Sequence, residues 1–185
     1  ILAQRSGIIL PDDVDNTKKE RGVGRQRVLD MNIEAVKFFQ QCLWDERLGA
    51  EAREYLLNKR GLDRRVIKHF RIGFAPNSFG MLHDHLKKLG YTDEEMYVAF
   101  LCGKGQNGAA YDYFRNRVMF PIIDTSGNVV AFGGRVMDDS KPKYKNSSDT
   151  PVFKKLRNLF ALNFARQLVD NDLVKIMLTG GEPFL

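Results

Sequence analysis

A chain of 185 residues is long enough for one full domain, or for one domain and part of another. Its 43% hydrophobic and 28% charged residues are ordinary for a folded globular protein. No apolar run approaches the roughly 18 residues that cross a bilayer, which excludes a helical membrane protein, and the net charge of +6 favours a polyanionic partner.

The start lacks the basic, apolar, small-residue order of a signal peptide. Cys42 and Cys102 stand without C-x-x-C spacing, so reduced thiols of a cytoplasmic protein are expected and a metal site is not. Residues 1–26 are polar and rich in Lys, Arg, Asp and Gly, a composition that buries little surface and reads as a linker. From about Val28 the pattern turns helical, with Ile33, Val36, Phe39 and Leu43 recurring on one stripe and Phe38, Cys42 and Trp44 fitting the same core. A second helix is expected over Ala50 to Lys59, stopped by Gly61. Asp63 is a good N-cap for the helix DRRVIKHF, which runs into the extended piece RIGFAP. Helical patterns return over Met81 to Leu89 and again from Thr92, where Glu95 three residues on completes a capping box.

After GKGQNG the period becomes extended. Arg117 to Asp124 and Asn128 to Val136 are apolar runs joined by DTSGN, a hairpin signal. KPKYKNS is a further extended piece, a helix is expected over Asn163 to Val169, and LVKIMLT has the look of a strand opening a parallel sheet. The fold expected is α+β: a helical N-terminal half, then an antiparallel, hairpin-containing basic sheet region.

Charge is unevenly spread. From Arg115 to Arg157 nine basic residues face four acids, a local balance of +5. In an extended Lys141-Pro142-Lys143-Tyr144-Lys145 the three lysines share a side, spaced about 7 Å apart and close to a phosphate repeat. The same pattern also fits the solvated face of an edge strand. Gly133-Gly134-Arg135 permits close approach of a ligand with a bidentate arginine beside it, or else marks a bulge. Arg115 and Arg117 share a face by strand alternation, and Phe153 to Arg157 adds a charged loop. Jointly these clusters favour one shared groove for an anionic partner. The H-x-H pair His83 and His85 does not face one ligand on a helix, and His69 reads as a packed or exposed helix residue rather than a catalyst. No nucleophile motif or phosphate-binding loop is present.

YDYFRNRVMFPIIDTSGNVVAFGGRV, then KPKYKNSSDTPVFKK, then LRNLFALNFAR closely resemble the core of bacterial DnaG-type DNA primases. REYLLNKRGLDRRVIKHFRIGFAP agrees with it, and LAQRSGIILP resembles the segment following the family's zinc ribbon. The resemblance covers roughly residues 26 to 179 and implies an RNA polymerase that lays RNA primers on single-stranded DNA at the replication fork. It implies residues 27–170 as the core's N-terminal subdomain and 171–185 as the start of a truncated TOPRIM subdomain. It carries template or phosphate binding onto Arg115, Arg117, Arg135, Lys143 and Lys155, with Asn146 and Ser147 secondary. Lys141 and Lys145 join them on charge. It also implies Mg or Mn on TOPRIM acids, zinc in a missing N-terminal domain, and a replicative helicase met through a missing C-terminal domain. Template, RNA primer and ribonucleoside triphosphates are the other partners, and a monomer is expected.

Two departures stand out. Tyr113 sits where a further basic residue is common, keeping a stacking surface but no charge. Gly180 stands where the family has its first TOPRIM glutamate, so this chain alone is expected to bind without synthesising primers. A spliced reading frame or natural divergence both account for the LTGGEPFL tail. That string is similar to a radical S-adenosylmethionine enzyme strand, but Cys42 and Cys102 cannot supply the iron–sulfur cluster such enzymes need. The rival to a primase core is a non-catalytic single-strand-binding module.

Overall fold

Apolar residues at helical spacing decide how the first half folds. In the computed structural model, which describes residues 23–157 and 160–164, Arg25–Trp44 form one 20-residue helix, α1. Its buried stripe runs from Val28 through Met31, Ala35, Phe39 and Leu43, each within three or four residues of the next. Helix α1 begins two residues inside the segment assigned to a linker. Two expected stripe members differ: Ile33 is 41% and Trp44 40% exposed, so Trp44 lies outside the core.

Helix α2 (Ala50–Glu54) continues as a π-helical turn over Tyr55–Lys59, so the helix expected there changes type midway, and Gly61 follows its end. Asp63 caps α3 (Arg64–His69), its carboxylate accepting from Arg65 N–H at 2.6 Å. The extended RIGFAP contributes β1 (Gly73–Ala75), followed by α4 (Met81–Lys88) and α5 (Asp93–Val98). Thr92 and Glu95 form the expected capping box, at 2.8 and 3.2 Å. Helix α4 has no local side-chain cap. Its first amides, Leu82 and His83 N–H, donate at 2.9 Å to the buried carboxylate of Asp112, thirty and twenty-nine residues away. Burial raises the pKa of Asp112, and only part of that rise is offset by the two amides.

Strands β2 (Cys102–Lys104) and β3 (Ala110–Asp112) make a small antiparallel pair. The hairpin forms as β4 (Arg117–Ile123) and β5 (Val129–Arg135), and Asp124 closes its turn by accepting from Ser126 and Asn128 N–H at 2.9 Å. With β6 (Tyr144–Asn146) they give an antiparallel sheet of order β1-β4-β5-β6. Helix α1 covers one face. Phe39 meets Phe132 edge-on at 5.6 Å, and a Cβ on Gly73 would lie 2.6 Å from the Cβ of Phe39. Glycine at 73 is what lets helix and strand approach this closely. Buried Asn32 ties the same layers by donating to Val129 O at 3.0 Å.

The architecture is therefore helices plus an antiparallel sheet. Of the helix expected over Asn163 to Val169, Asn163 and Phe164 are helical and the rest lies outside the described residues. The LVKIMLT strand, Gly180 and most of the expected linker lie outside them too. Among the described residues no helix is long and apolar enough to cross a membrane. Cys42 and Cys102 are both buried, and desolvation pushes the Cys42 thiol up to about 12 and the Cys102 thiol upward as well.

Candidate functional site

Sheet register divides the expected basic residues between two faces. Val118 pairs with Arg135 and Arg135 with Tyr144, while Gly133 pairs with Asn146. Paired residues share a side and neighbours alternate, so Arg135, Tyr144 and Asn146 occupy one face. Arg117, Gly134 and Lys145 occupy the other, the face that α1 covers.

On the α1 side three cations gather. Arg117 is 7% exposed and donates to Pro142 O at 2.9 Å. A Cβ on Gly134 would stand 3.1 Å from the Arg117 Cδ, so the paired glycines make room for this arginine. Lys145 donates to Tyr113 O at 2.8 Å with its ammonium 3.5 Å from the centre of the Tyr113 ring. Burial, then Arg117 and Arg115, depress Lys145 to about 8. Arg117 is likewise lowered by burial, against a raising contribution from Asp138. Asn116 has φ of 49°, so strand alternation does not run through to Arg115. Arg115 instead donates to Asp112 O at 3.3 Å and lays its guanidinium 4.0 Å from the centre of the Phe79 ring, with Tyr111 at 5.5 Å. Phe79 is 68% exposed, and its loop is held in place by Asp112 N–H donating to Phe79 O at 2.7 Å.

This cluster of cations and aromatic faces suits a chain of phosphates and bases. Phe79 and Tyr111 were not singled out from the sequence. An aromatic between Ser78 and Gly80 in a polar loop carries no periodic signal, and only the tertiary approach of Arg115 marks it. Tyr113 does offer a ring, but the ring is already occupied by Lys145, Phe100 and Phe114.

The opposite face holds a cleft of about 340 Å³ lined by Tyr55, Leu56, Arg60, Val66, Phe70, Phe120, Arg135, Tyr144 and Phe160, among others. Arg135 donates to the Tyr144 hydroxyl. Its Nε and the Asn146 Oδ1 are buried without hydrogen-bond partners among the described residues. A donor and an acceptor left open on one face is an arrangement that a bound polar group would complete.

The remaining expected residues are placed differently. Only Lys145 of the three alternating lysines lies in β6; Lys141 and Lys143 are exposed in the bend before it, so the strand geometry that aligned all three does not extend to them. Lys155 is exposed in a 3-10 turn at Lys155–Arg157. Ser147 is 2% exposed, and its hydroxyl accepts from Phe132 N–H at 3.1 Å, a sheet fastening within the core. His83 lies against Asp84 and Asp93, and His85 packs on Phe38.

Comparison with known proteins agrees with this architecture. The family profile described as "DNA primase catalytic core, N-terminal domain" matches residues 38–166. The chain is similar to a DNA primase of Clostridium acetobutylicum, 40% identical over 164 residues, covering 89% of this chain and 27% of that protein. It thus spans little more than a quarter of that relative's length. Among solved structures it is similar to the RNA polymerase domain of Mycobacterium tuberculosis primase DnaG, with TM-score 0.73 and 34% identity over 80% of this chain and 48% of the other. A DnaG primase catalytic domain bound to single-stranded DNA gives TM-score 0.70 and 40% identity over 77% of this chain and 46% of that one.

Proposed function

The chain belongs to the family of the DNA primase catalytic core N-terminal domain, and from that premise we propose that it holds the single-stranded template and nucleotide phosphates for RNA primer synthesis. The observation that carries this reading is the cluster of Arg115, Arg117 and Lys145, buried and crowded enough to depress one of its own charges, beside an exposed Phe79. An incoming phosphate relieves that crowding, because its negative charge stabilises the ammonium that burial and two arginines disfavour. Phe79, backed by the Arg115 guanidinium, offers a stacking face for a base whatever its identity. Arg135 and Asn146 serve the nucleotide: Nε–H donates to a phosphate or sugar oxygen and Oδ1 accepts from a base or ribose hydroxyl.

A divalent ion, when bound, supplies charge neutralisation to nucleotidyl transfer. Among the described residues no three His, Cys, Asp or Glu side chains converge, so these residues do not fit a metal. Their work is binding and orientation, which by itself lowers the barrier through positioning.

The test is fluorescence anisotropy of a labelled single-stranded oligonucleotide with the 185-residue chain. Weak binding that falls steeply with salt is expected, with Lys145→Gln weakening it about tenfold. Binding indifferent to salt and to that substitution would remove the reading. In a primer-synthesis assay with ribonucleotides and Mg or Mn the chain alone is expected to make no product, and RNA of template-dependent length would overturn the division between binding and catalysis.

A further inference from the structure

The chain's single tryptophan is not where its pattern predicts. Trp44 closes α1 and is 40% exposed, at the edge of a shallow depression of about 670 Å³ lined by Lys37, Gln40, Gln41, Trp44, Arg64 and Lys68. Lys37, Gln40, Gln41 and Trp44 follow at three- and four-residue steps along the outer side of α1, away from its buried stripe. Arg64 and Lys68 repeat at i, i+4 on α3, and the Arg64 guanidinium lies 5.4 Å from the centre of the Trp44 ring. Lys37 is held by Glu34 at 2.7 Å. Among the described residues lining the depression, the positive charge without a carboxylate partner is therefore that of Arg64 and Lys68, and none of those residues is a carboxylate.

This patch is separate from the sheet cleft. Val66 and Phe70 line that cleft, whereas Arg64 and Lys68, about 200° away around the same helix, line this one. Helix α3 thus divides the two.

We propose that the Trp44–Arg64–Lys68 patch is a second contact point for single-stranded nucleic acid, in which a base stacks on the indole and the adjoining phosphates meet Arg64 and Lys68. The proposal rests on the reading of the chain as a single-strand holder and extends it to a surface outside the sheet. Three features favour a strand over a simple anion. An exposed indole offers a phosphate no more than one N–H donor but has a face for every base. Arg64 sits near enough to the ring to contribute to that stack and to reach a phosphate. Gln40 and Gln41 provide neutral amide donors and acceptors, which match base and sugar edges.

Because Trp44 is the only tryptophan, its emission reports this patch alone. The 185-residue chain is titrated with a thymidine oligonucleotide of about ten residues, within the usual site size for single-strand binders, while anisotropy of a labelled copy follows total binding. Saturable quenching of Trp44 is expected, about tenfold weaker with an abasic strand of equal length. Arg64→Glu with Lys68→Glu, both on exposed positions, is expected to abolish quenching and to flatten the salt dependence by a slope of about 1.4, two phosphates' share. Lys145→Gln is expected to weaken total binding while leaving quenching at saturation in place. Binding by anisotropy with unchanged Trp44 emission overturns the patch and leaves the sheet reading standing, as does equal quenching by the abasic strand or by the double variant. No binding by either signal overturns the sheet reading as well.

Discussion

The two faces of the sheet treat their cations in opposite ways. On the α1 side of the sheet, Arg117 and Lys145 spend their hydrogen bonds on backbone carbonyls of Pro142 and Tyr113, and keep their charges crowded together with Arg115. On the far face Arg135 leans on the Tyr144 hydroxyl and, among the described residues, leaves an Nε–H open. The first arrangement is short of negative charge and, as proposed, suits any phosphate, while the second is short of one directed acceptor among the described residues. Attraction along a strand and recognition of a single nucleotide are different tasks, and on the proposed reading the pleat separates them.

The largest effect comes from the close packing that covers the first face. Gly73→Ala places a Cβ within 2.6 to 2.9 Å of Phe39 side-chain and backbone atoms, on a helix too well packed to retreat. We expect a loss of about 3 kcal/mol, the upper range for overpacking, measured by urea denaturation with an unchanged m-value. A loss below about 1 kcal/mol would mean that α1 rides loosely on the sheet.

Next in size is the contrast between the cations themselves. Lys145→Gln is expected to cost about 1.4 kcal/mol in single-strand binding, and Arg135→Gln a similar amount in ribonucleotide binding, each with little effect on the other ligand. Anisotropy with a labelled strand and equilibrium binding of a fluorescent ribonucleotide measure the two. Equal losses for both ligands in both variants would merge the faces into one site. Phe79→Ala follows, with about 1 kcal/mol lost in strand binding and no change in stability, since the ring is 68% exposed.

Most of the frame was legible in the sequence because its signals are local. The Asp63 cap, the Thr92–Glu95 box and the Asp124 turn are each complete within a few residues. The apolar stripe of α1 needed only periodicity, and it failed at Trp44 because the last turn of a helix can leave its partners behind. The site was legible as a list of charges but not as an arrangement. Arg115 was expected to line up with Arg117 by alternation, and a positive φ at Asn116 breaks that count. Lys141 and Lys143 were expected to extend a strand that begins only at Tyr144. Phe79, the Asp112 cap of α4 and the open Arg135 Nε depend on contacts between distant segments, which no single-sequence pattern records.

The smallest effect is the pH response of Lys145, and it separates the faces most cleanly. Its folded pKa, about 8, lies below the ordinary lysine value, so between the two the unfolded chain holds more protons. Stability attributable to this group should therefore rise as pH increases through that window, while strand binding falls as the charge is lost. The two signs are opposite because burial disfavours the ammonium and a phosphate favours it. Anisotropy and urea denaturation across the window, with Lys145→Gln as reference, read both. Ribonucleotide binding proposed for the far face does not involve Lys145 and should not follow the same curve, and a shared midpoint would place the nucleotide against Lys145 instead.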